Sequence, residues 1–334
     1  MTRLDATSTP EQRGLRRDEV RLMVVRPGTV EHTCFRGFAG HLRPGDLLVV
    51  NTSATLPAAL DGHRSDGAPV VVHLSTRLDD GTWLVELRPP GPATGPVRDA
   101  VAGERLRLPA GGRLVLLAPH PGSVRLWRST VSVEGTVEEL LARSGRPVTY
   151  AHLTQGAPIE AFQTVFASQP GSAEMPSAGR PFSGRVVLEL VTRGVTVAPV
   201  TLHTGLSSPE AGEPPSAEPY DVPAHTARLV ELTRRAGGRV VAVGTTVTRA
   251  LESVAAPDGT VRAGRGWTDL VLGRERPARV VDGLVTGWHA AGATHLRLLE
   301  AVAGRELVEA AYLAADADGG YRWHEMGDSC LLLP

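Results

Sequence analysis

The sequence predicts an α/β main domain with a partly parallel sheet, interrupted by a small domain of antiparallel strands. Strands and helices alternate in the second half of the chain, which is typical of βαβ units. In the middle of the chain the pattern changes to short apolar runs bounded by Gly or Pro, which favour a small barrel or sandwich. We therefore place the main domain at residues 1–61 and 149–334 and the inserted domain at residues 62–148.

The first strands are short and apolar. Leu22–Val25 and Asp46–Val50 are predicted to be buried strands, and the second follows a Pro44-Gly45 turn. The runs that predict the strands of the inserted domain are Val70–Leu74, Trp83–Leu87, Arg105–Leu108, Arg113–Leu117 and Val124–Trp127.

The chain then alternates between helical and extended patterns. Thr136 is a plausible cap for the first helix. The predicted helices are Val137–Ser144, Ile159–Ala167 and Thr226–Ala236, and the predicted strands are Val195–Leu202 and Arg239–Val243. A polar, Pro-rich stretch, Ser207–Pro223, is predicted to be a long loop of the kind that often forms a lid or binding loop.

Composition indicates a soluble globular protein of 334 residues, with 42% hydrophobic and 21% charged residues. The formal net charge is −1, so no bulk positive field indicates nucleic-acid binding. Two cysteines are too few for a disulfide framework or a cysteine-built metal site. The chain shows neither an apolar signal segment nor a run of about 18 apolar residues. We expect a cytoplasmic monomer that does not enter a membrane.

The most informative segment is Val241–Ser253, where an apolar strand leads through Gly244-Thr245-Thr246 into a helix. A Gly turn lets the backbone approach a ligand, and a helix start offers unpaired N–H groups to an anion. The alternative is ordinary capping by a threonine, with Arg249 and Glu252 as a solvated pair on the helix surface.

Five further segments agree with a ligand site. They read PGDLLVVNTSATLPAAL at Pro44–Leu60, GSAEMPSAGRPFS at Gly171–Ser183, VTLHTG at Val200–Gly205, VDGLVTGWHAAGAT at Val281–Thr294 and YRWHEMGDS at Tyr321–Ser329. In this order and spacing they resemble the QueA family of S-adenosylmethionine:tRNA ribosyltransferase-isomerases, from about Arg17 to Leu332. Members of that family make epoxyqueuosine in the tRNA anticodon loop, within queuosine biosynthesis, and carry a small β-barrel inserted into an α/β domain.

The resemblance implies a transferase and isomerase that uses S-adenosylmethionine as co-substrate, releases adenine and methionine, and requires no metal. Such a reaction needs a base to remove a proton beside the sulfonium. The residues that the resemblance assigns to catalysis are His203, Glu218 and His289. Those that it assigns to substrate binding are Asn51, Ser177, Gly179, Thr204, Gly244, Thr245, Thr246, Arg249, Glu252 and Asp328.

Several of these residues also have a structural interpretation. His203 could be a neutral core histidine, and Glu218 one exposed carboxylate among many. The Ser177–Gly179 segment could be a plain turn, and Asp328 could cap the last turn of the chain. The Trp288-His289 pair could stack on a base or lie buried.

The chain departs from the family pattern around the expected site. The departures are Thr52-Ser53-Ala54, Ala59, Arg180-Pro181, Ser216 and Gly287-Trp288. They remove two arginines and two histidines that are usual in the family, and so keep two alternatives open. The chain could use S-adenosylmethionine on a small-molecule acceptor, or bind S-adenosylmethionine or RNA without turnover.

A tRNA partner would require a local arginine surface. The candidates are Arg13, Arg16, Arg17 and Arg21 near one end of the chain and Arg262, Arg265, Arg274 and Arg276 near the other.

Overall fold

The computed structural model describes residues 4–91, 95–149, 152–207, 216–289 and 294–334. A nine-stranded mixed sheet with helices on both faces forms the main domain, and a closed six-stranded antiparallel barrel lies beside it. The predicted fold class is therefore confirmed.

The elements in chain order begin with the strands, which are β1 Leu4–Asp5, β2 Arg21–Arg26, β3 Thr29–Cys34, β4 Leu47–Asn51, β5 Ser53–Thr55, β6 Ala59–His63, β7 Pro69–Arg77, β8 Trp83–Arg88, β9 Arg105–Arg107, β10 Arg113–Pro119, β11 Leu126–Ser132, β12 Gln169–Ser172, β13 Thr196–Leu202, β14 Glu218–Val222, β15 Val240–Val243, β16 Gly264–Thr268, β17 Gly283–Thr286, β18 Arg322–Trp323 and β19 Ser329–Leu332. The helices are α1 Val137–Ser144, α2 Gly184–Thr192, α3 Ala224–Arg235, α4 Gly244–Ser253, α5 Thr294–Ala303 and α6 Arg305–Asp318.

The main sheet has the strand order β16-β14-β13-β4-β15-β17-β19-β2-β3. Its centre is parallel, since β4 pairs in parallel with both β13 and β15, and β15 pairs in parallel with β17. The outer strands β14, β16 and β3 pair antiparallel with their neighbours. Parallel pairing in the centre brings the carboxyl ends of β13, β4 and β15 to one edge of the sheet.

The central strand β4 is apolar and buried from Leu47 to Val50 because both faces of the sheet are covered. In β4, Leu47 and Val49 pack into the core cluster beneath α3 and α4, whereas Leu48 and Val50 pack into the cluster beneath α2. This is the two-residue alternation of a strand with two buried faces, and it explains why the sequence shows an unbroken apolar run.

The inserted domain is a closed barrel, in the order β10-β11-β8-β7-β6-β9, which decides between the barrel and sandwich alternatives. Its core contains side chains such as Leu60, Val72, Val85 and Leu114, and α1 closes one end with Leu140 and Leu141. The barrel begins at β6, which starts at Ala59 and runs across the predicted boundary at residue 62. The Thr136 cap is confirmed, since its hydroxyl accepts a hydrogen bond from Glu139 N at 3.1 Å.

The barrel contacts the main domain through the segment that follows β13. Leu206 N donates a hydrogen bond to Ser75 Oγ of the barrel at 3.0 Å, and Leu206 O accepts one from Arg125 Nη2 at 2.9 Å. Arg125 in turn forms a buried ion pair with Glu86. The barrel therefore holds in place a loop that begins at a central strand end.

Two predicted elements are wrong. The predicted helix Ile159–Ala167 is only a 3₁₀ turn, Ile159–Phe162, because the side chain of Gln163 bonds both backbone groups of Thr55 and fixes an extended backbone at Gln163. The predicted loop Ser207–Pro223 contains β14, which pairs with β13 and β16. Residues 208–215 of that loop lie outside the described part of the chain.

No helix within the described ranges is long and apolar enough to cross a membrane.

Candidate functional site

The carboxyl ends of β4, β13 and β15 bring together residues that are far apart in the sequence. β4 ends at Asn51, β13 is followed by His203, and β15 is followed by the Gly244 turn. In open α/β sheets, ligands bind in the crevice beyond such strand ends. We use the name strand-end cluster for His203, Ser53, Ser172, Glu218 and Arg249, the polar side chains at this edge.

Asn51 joins the three strand ends. Its Oδ1 accepts hydrogen bonds from Ser53 N at 3.0 Å and Leu202 N at 3.1 Å. Its Nδ2 donates to Leu202 O at 2.9 Å and to Thr246 Oγ1 at 3.3 Å. An amide side chain has two donor and two acceptor positions, and protein atoms occupy all four. Asn51 therefore supports the site from beneath instead of presenting a free group to a ligand.

His203 lies within a chain of hydroxyl groups. Its Nδ1 is 2.7 Å from Ser53 Oγ, which is 2.6 Å from Ser172 Oγ. Ser172 Oγ also accepts a hydrogen bond from Thr204 N at 2.9 Å. Burial lowers the pKa of His203 below its ordinary value, so the ring is neutral near pH 7. Ser53 Oγ therefore contacts one of the two ring nitrogens, Nδ1.

The face of the His203 ring lies against Gly171. A Cβ atom added at Gly171 would be 2.5 Å from Nδ1 of the ring, far inside van der Waals contact. Only glycine fits here, so the backbone of β12 and the imidazole form one surface.

Glu218 and Arg249 form an ion pair beside His203. Glu218 Oε1 accepts a hydrogen bond from Gly205 N at 2.9 Å, and Oε2 pairs with Nη1 of Arg249. Burial raises the pKa of Glu218, and the positive charge of Arg249 opposes that shift. Arg249 also donates to Thr268 O at 2.8 Å and Leu270 O at 3.2 Å. Arg249 is therefore neither a solvated surface residue nor, in this arrangement, a free partner for a ligand carboxylate.

The Gly244-Thr245-Thr246 turn lies directly against the Ser177–Gly179 turn. Gly244 has a φ of +91°, and a Cβ atom there would be 3.1 Å from Cβ of Ala178, in the 3₁₀ turn Ser177–Gly179. No side chain of the described residues caps the start of α4, so capping by Thr245 or Thr246 is not observed. The two predicted binding segments thus meet, and the first N–H groups of α4 are not used by a cap.

Glu252 and Asp328 have structural roles. Glu252 is fully buried, and its Oε1 accepts hydrogen bonds from Val280 N at 2.8 Å and Arg279 N at 2.9 Å. Asp328 accepts hydrogen bonds from Arg21 N at 2.8 Å and Arg322 N at 2.7 Å. The structure places neither carboxylate in the strand-end cluster, and Asp328 binds backbone N–H groups at the starts of β2 and β18.

Trp288 is buried in an aromatic cluster, so it does not offer a face on which a base could stack. His289 is half-buried, and its ring stacks on His295 with centroids 4.4 Å apart. Burial lowers the pKa of His295, and the positive charge of Arg249 lowers it further. Of this pair, Trp288 is therefore buried, whereas His289 is only partly so.

Sequence reasoning missed Glu174. Its carboxylate accepts hydrogen bonds from Ser207 N at 2.9 Å and Ser207 Oγ at 2.7 Å. Burial raises the pKa of Glu174 to about 7, and the negative charge of Glu325 adds to the shift. A carboxyl group that titrates near neutral pH is a candidate acid or base. Its position within GSAEMPSAGRPFS was the available signal.

A pocket opens between the Ser177–Gly179 turn and the last turn of the chain. The residues that line it include Ser177, Ala178, Arg180, His324, Glu325 and Asp328. Arg180 does not reach solvent here, because it donates to Ala161 O at 3.0 Å and pairs with Glu11 at 2.6 Å.

The chain is similar to known proteins over almost its whole length. A model of a family described as "Queuosine biosynthesis protein" matches residues 3–332. The S-adenosylmethionine:tRNA ribosyltransferase-isomerase of Symbiobacterium thermophilum is 40% identical over 329 residues, which cover 95% of this chain and 94% of the relative. The protein of the same name from Thermus thermophilus is 37% identical over 336 residues, with coverages of 95% and 93%.

One solved structure is also similar. The crystal structure of S-adenosylmethionine tRNA ribosyltransferase from Thermotoga maritima superposes with a TM-score of 0.53 at 30% sequence identity. The similarity covers 99% of this chain and 96% of that one. The chain therefore belongs to the queuosine biosynthesis protein family.

Proposed function

We propose that this chain is an S-adenosylmethionine-dependent ribosyltransferase-isomerase of tRNA modification. It attaches the rearranged ribosyl group of S-adenosylmethionine to a base of the tRNA anticodon loop and releases adenine and methionine. Relatives with this name that align with 95% of the chain support the proposal. The observation that carries it is the strand-end cluster, where a neutral histidine lies beside a buried ion pair.

We assign the role of general base to His203. When its Nδ1–H donates to Ser53 Oγ, Nε2 has a lone pair that can accept the proton from the carbon beside the sulfonium. The lowered pKa keeps this nitrogen unprotonated at neutral pH. A histidine whose second nitrogen is oriented in this way is ready for proton transfer without rearrangement.

Glu218 has a different role in this proposal. Both of its oxygens already have partners, Gly205 N and the Arg249 guanidinium, so it is less suited than His203 to accept a proton. It positions the loop after β13 and keeps Arg249 in place. The positive charge of Arg249, offset by Glu218, then lies near the reacting atoms.

S-adenosylmethionine binding is assigned to the two segments that meet at Gly244. The Ser177–Gly179 turn has only small side chains, which allow the backbone to lie against a flat adenine ring. The start of α4 offers N–H groups and a positive dipole end to the carboxylate of the methionine part. Thr245 and Thr246 contribute hydroxyl groups at the same place.

The experiment is chromatographic detection of adenine and methionine after incubation with S-adenosylmethionine, with and without tRNA that carries the aminomethyl-deazaguanine base. We expect release only with that tRNA. His203→Ala should reduce the rate at least about 100-fold, as loss of a general base does. His225→Ala, which changes an exposed histidine on α3, is the matched control and should be neutral. No release with either sample contradicts the proposal.

A second candidate, transfer to a small-molecule acceptor, is favoured by one observation about charge. Several arginines that could contact tRNA are already paired, since Arg21 binds Asp318, Arg265 binds Asp221 and Arg276 binds Glu252. Pairing reduces the positive surface available to phosphates. Adenine release with the free deazaguanine base, and none with tRNA, would favour this candidate.

A further inference from the structure

Three potential metal ligands converge in the turn that precedes the last strand. His324 and Glu325 follow β18, and His152 comes from the segment after α1. One ligand atom from each of these side chains lies within 4.8 Å of the other two. We call these residues the His–Glu cluster. His152 is 172 positions from the adjacent pair His324 and Glu325, so no spacing motif indicated that the three meet.

The two imidazoles and the carboxylate are in close contact. The rings of His152 and His324 stack with centroids 4.3 Å apart and an angle of 17° between their planes. Glu325 Oε2 is 3.1 Å from His152 Nε2. That oxygen is buried, and no hydrogen bond reaches it within the described part of the chain. A buried carboxylate oxygen is normally hydrogen-bonded or paired with a positive charge, and a cation bound beside the two imidazoles would supply that charge.

The backbone holds His324 in an unusual conformation. Its φ is +74°, and Ala110 is the only other non-glycine residue in the described ranges with a positive φ. The left-handed conformation is disfavoured for a residue with a side chain. Strain of this kind is concentrated at functional sites. Here it places the His324 imidazole over His152.

Asp5 completes the arrangement. Its Oδ1 lies 3.1 Å from Nε2 of His324. Metal-ligating histidines commonly contact a carboxylate through one ring nitrogen, which orients the ring. Asp5 lies in β1, which pairs with β18, so the strand pairing itself sets this contact.

We propose that His152, His324 and Glu325 bind one divalent transition-metal ion of the zinc class. Two imidazoles and one carboxylate are a ligand set used by catalytic zinc sites, and they leave a coordination position open. Bond lengths of about 2.0–2.2 Å require the three side chains to close around the ion by rotation. The proposal differs from the expectation that no metal is needed, which came from the resemblance alone.

Two of the three proposed ligands line the pocket described above. His324 and Glu325 line the same pocket as Ser177 and Ala178 of the small-residue turn. An ion there would meet an oxygen or nitrogen donor of a bound ligand. The proposal does not depend on which reaction the strand-end cluster performs.

The test is titration of the full, untagged chain with Zn²⁺ alone, in competition with a colorimetric chelator. We expect one saturable equivalent. His152→Ala and Glu325→Gln should each weaken Zn²⁺ binding at least about 100-fold, and Asp5→Asn about 10-fold. Co²⁺ in place of Zn²⁺ should give visible absorption bands that both ligand variants lose.

Two variants are matched controls. His225→Ala removes an exposed histidine, and Cys34→Ser removes the more accessible of the two thiols, so neither should change the affinity. Circular dichroism of each variant without metal separates loss of binding from loss of folding, and Glu325→Gln keeps the shape of the side chain. The proposal is overturned if Glu325→Gln binds Zn²⁺ as tightly as the unaltered chain, or if the unaltered chain binds no saturable equivalent. The cluster would then be only a His152–Glu325 ion pair.

Discussion

The strand-end cluster and the His–Glu cluster differ in how their polar atoms are satisfied. At the strand ends, Glu218 and Asn51 have protein partners for their side-chain oxygens, so the network is closed around His203. In the His–Glu cluster a buried oxygen of Glu325 receives no hydrogen bond from the described residues. The polar atoms of Glu218 and Asn51 are thus satisfied without a ligand, whereas we propose that a metal ion satisfies Glu325. The family resemblance located the first and gave no indication of the second.

The largest effect is expected from breaking the ion pair that closes the strand-end cluster. Arg249→Met leaves the buried carboxylate of Glu218 unpaired, and we expect the free energy of unfolding to fall by about 3–5 kcal/mol. Denaturant unfolding measures this loss. Arg265→Met, which breaks an exposed pair with Asp221, is the control and should cost less than about 1 kcal/mol.

The double variant Arg249→Met with Glu218→Gln sharpens this result. It removes both charges, so it should recover part of the stability lost in Arg249→Met. If Arg249→Met and Arg265→Met lowered the free energy of unfolding equally, the Glu218–Arg249 pair would contribute no more than an exposed ion pair.

A smaller effect is expected from Gly171→Ala. The added methyl group would lie 2.5 Å from the His203 ring, so the imidazole must move. Displacement of a catalytic group by about 1 Å can cost about 100-fold in rate, and we expect a loss of that order in adenine release. Gly184→Ala is the control because no atom lies within 4 Å of the added Cβ. Equal rates of adenine release for Gly171→Ala and Gly184→Ala would contradict the assignment of His203 as general base.

The smallest effect is a shift in pH dependence. Burial lowers the pKa of His203 below 6.5, and a general base works only when deprotonated. The midpoint of the fall in the rate of adenine release with decreasing pH should therefore lie below pH 6.5. A single-turnover pH profile measures this. A decline centred near pH 7 would instead point to Glu174, whose pKa is raised to about 7.

The sequence predicts the main sheet and the barrel because their strands have strong apolar patterns, as in the run that forms β4. It does not reveal β14, because Glu218–Val222 is polar and contains a proline, although it pairs on both sides. Tertiary hydrogen bonds also override local preference, as Gln163 does where a helix was expected.

The candidate site was only partly predictable for the same reason. His203 and the Gly-Thr-Thr turn lie in recognisable segments. Ser53 and Ser172 are 119 positions apart, and nothing local indicates that their hydroxyl groups meet. Likewise, the environment that raises the pKa of Glu174 exists only in the folded chain.

Asn51 is the one asparagine of the chain, so it is also the one position where asparagine deamidation could occur. Conversion to aspartate would replace the amide donor with a second oxygen, directed at the Leu202 carbonyl and the Thr246 hydroxyl. The carbonyl would then face a negative charge at the point where three strands meet. Burial of the amide in the folded state protects Asn51 from this change. The rate of deamidation should therefore increase with the fraction of unfolded chain.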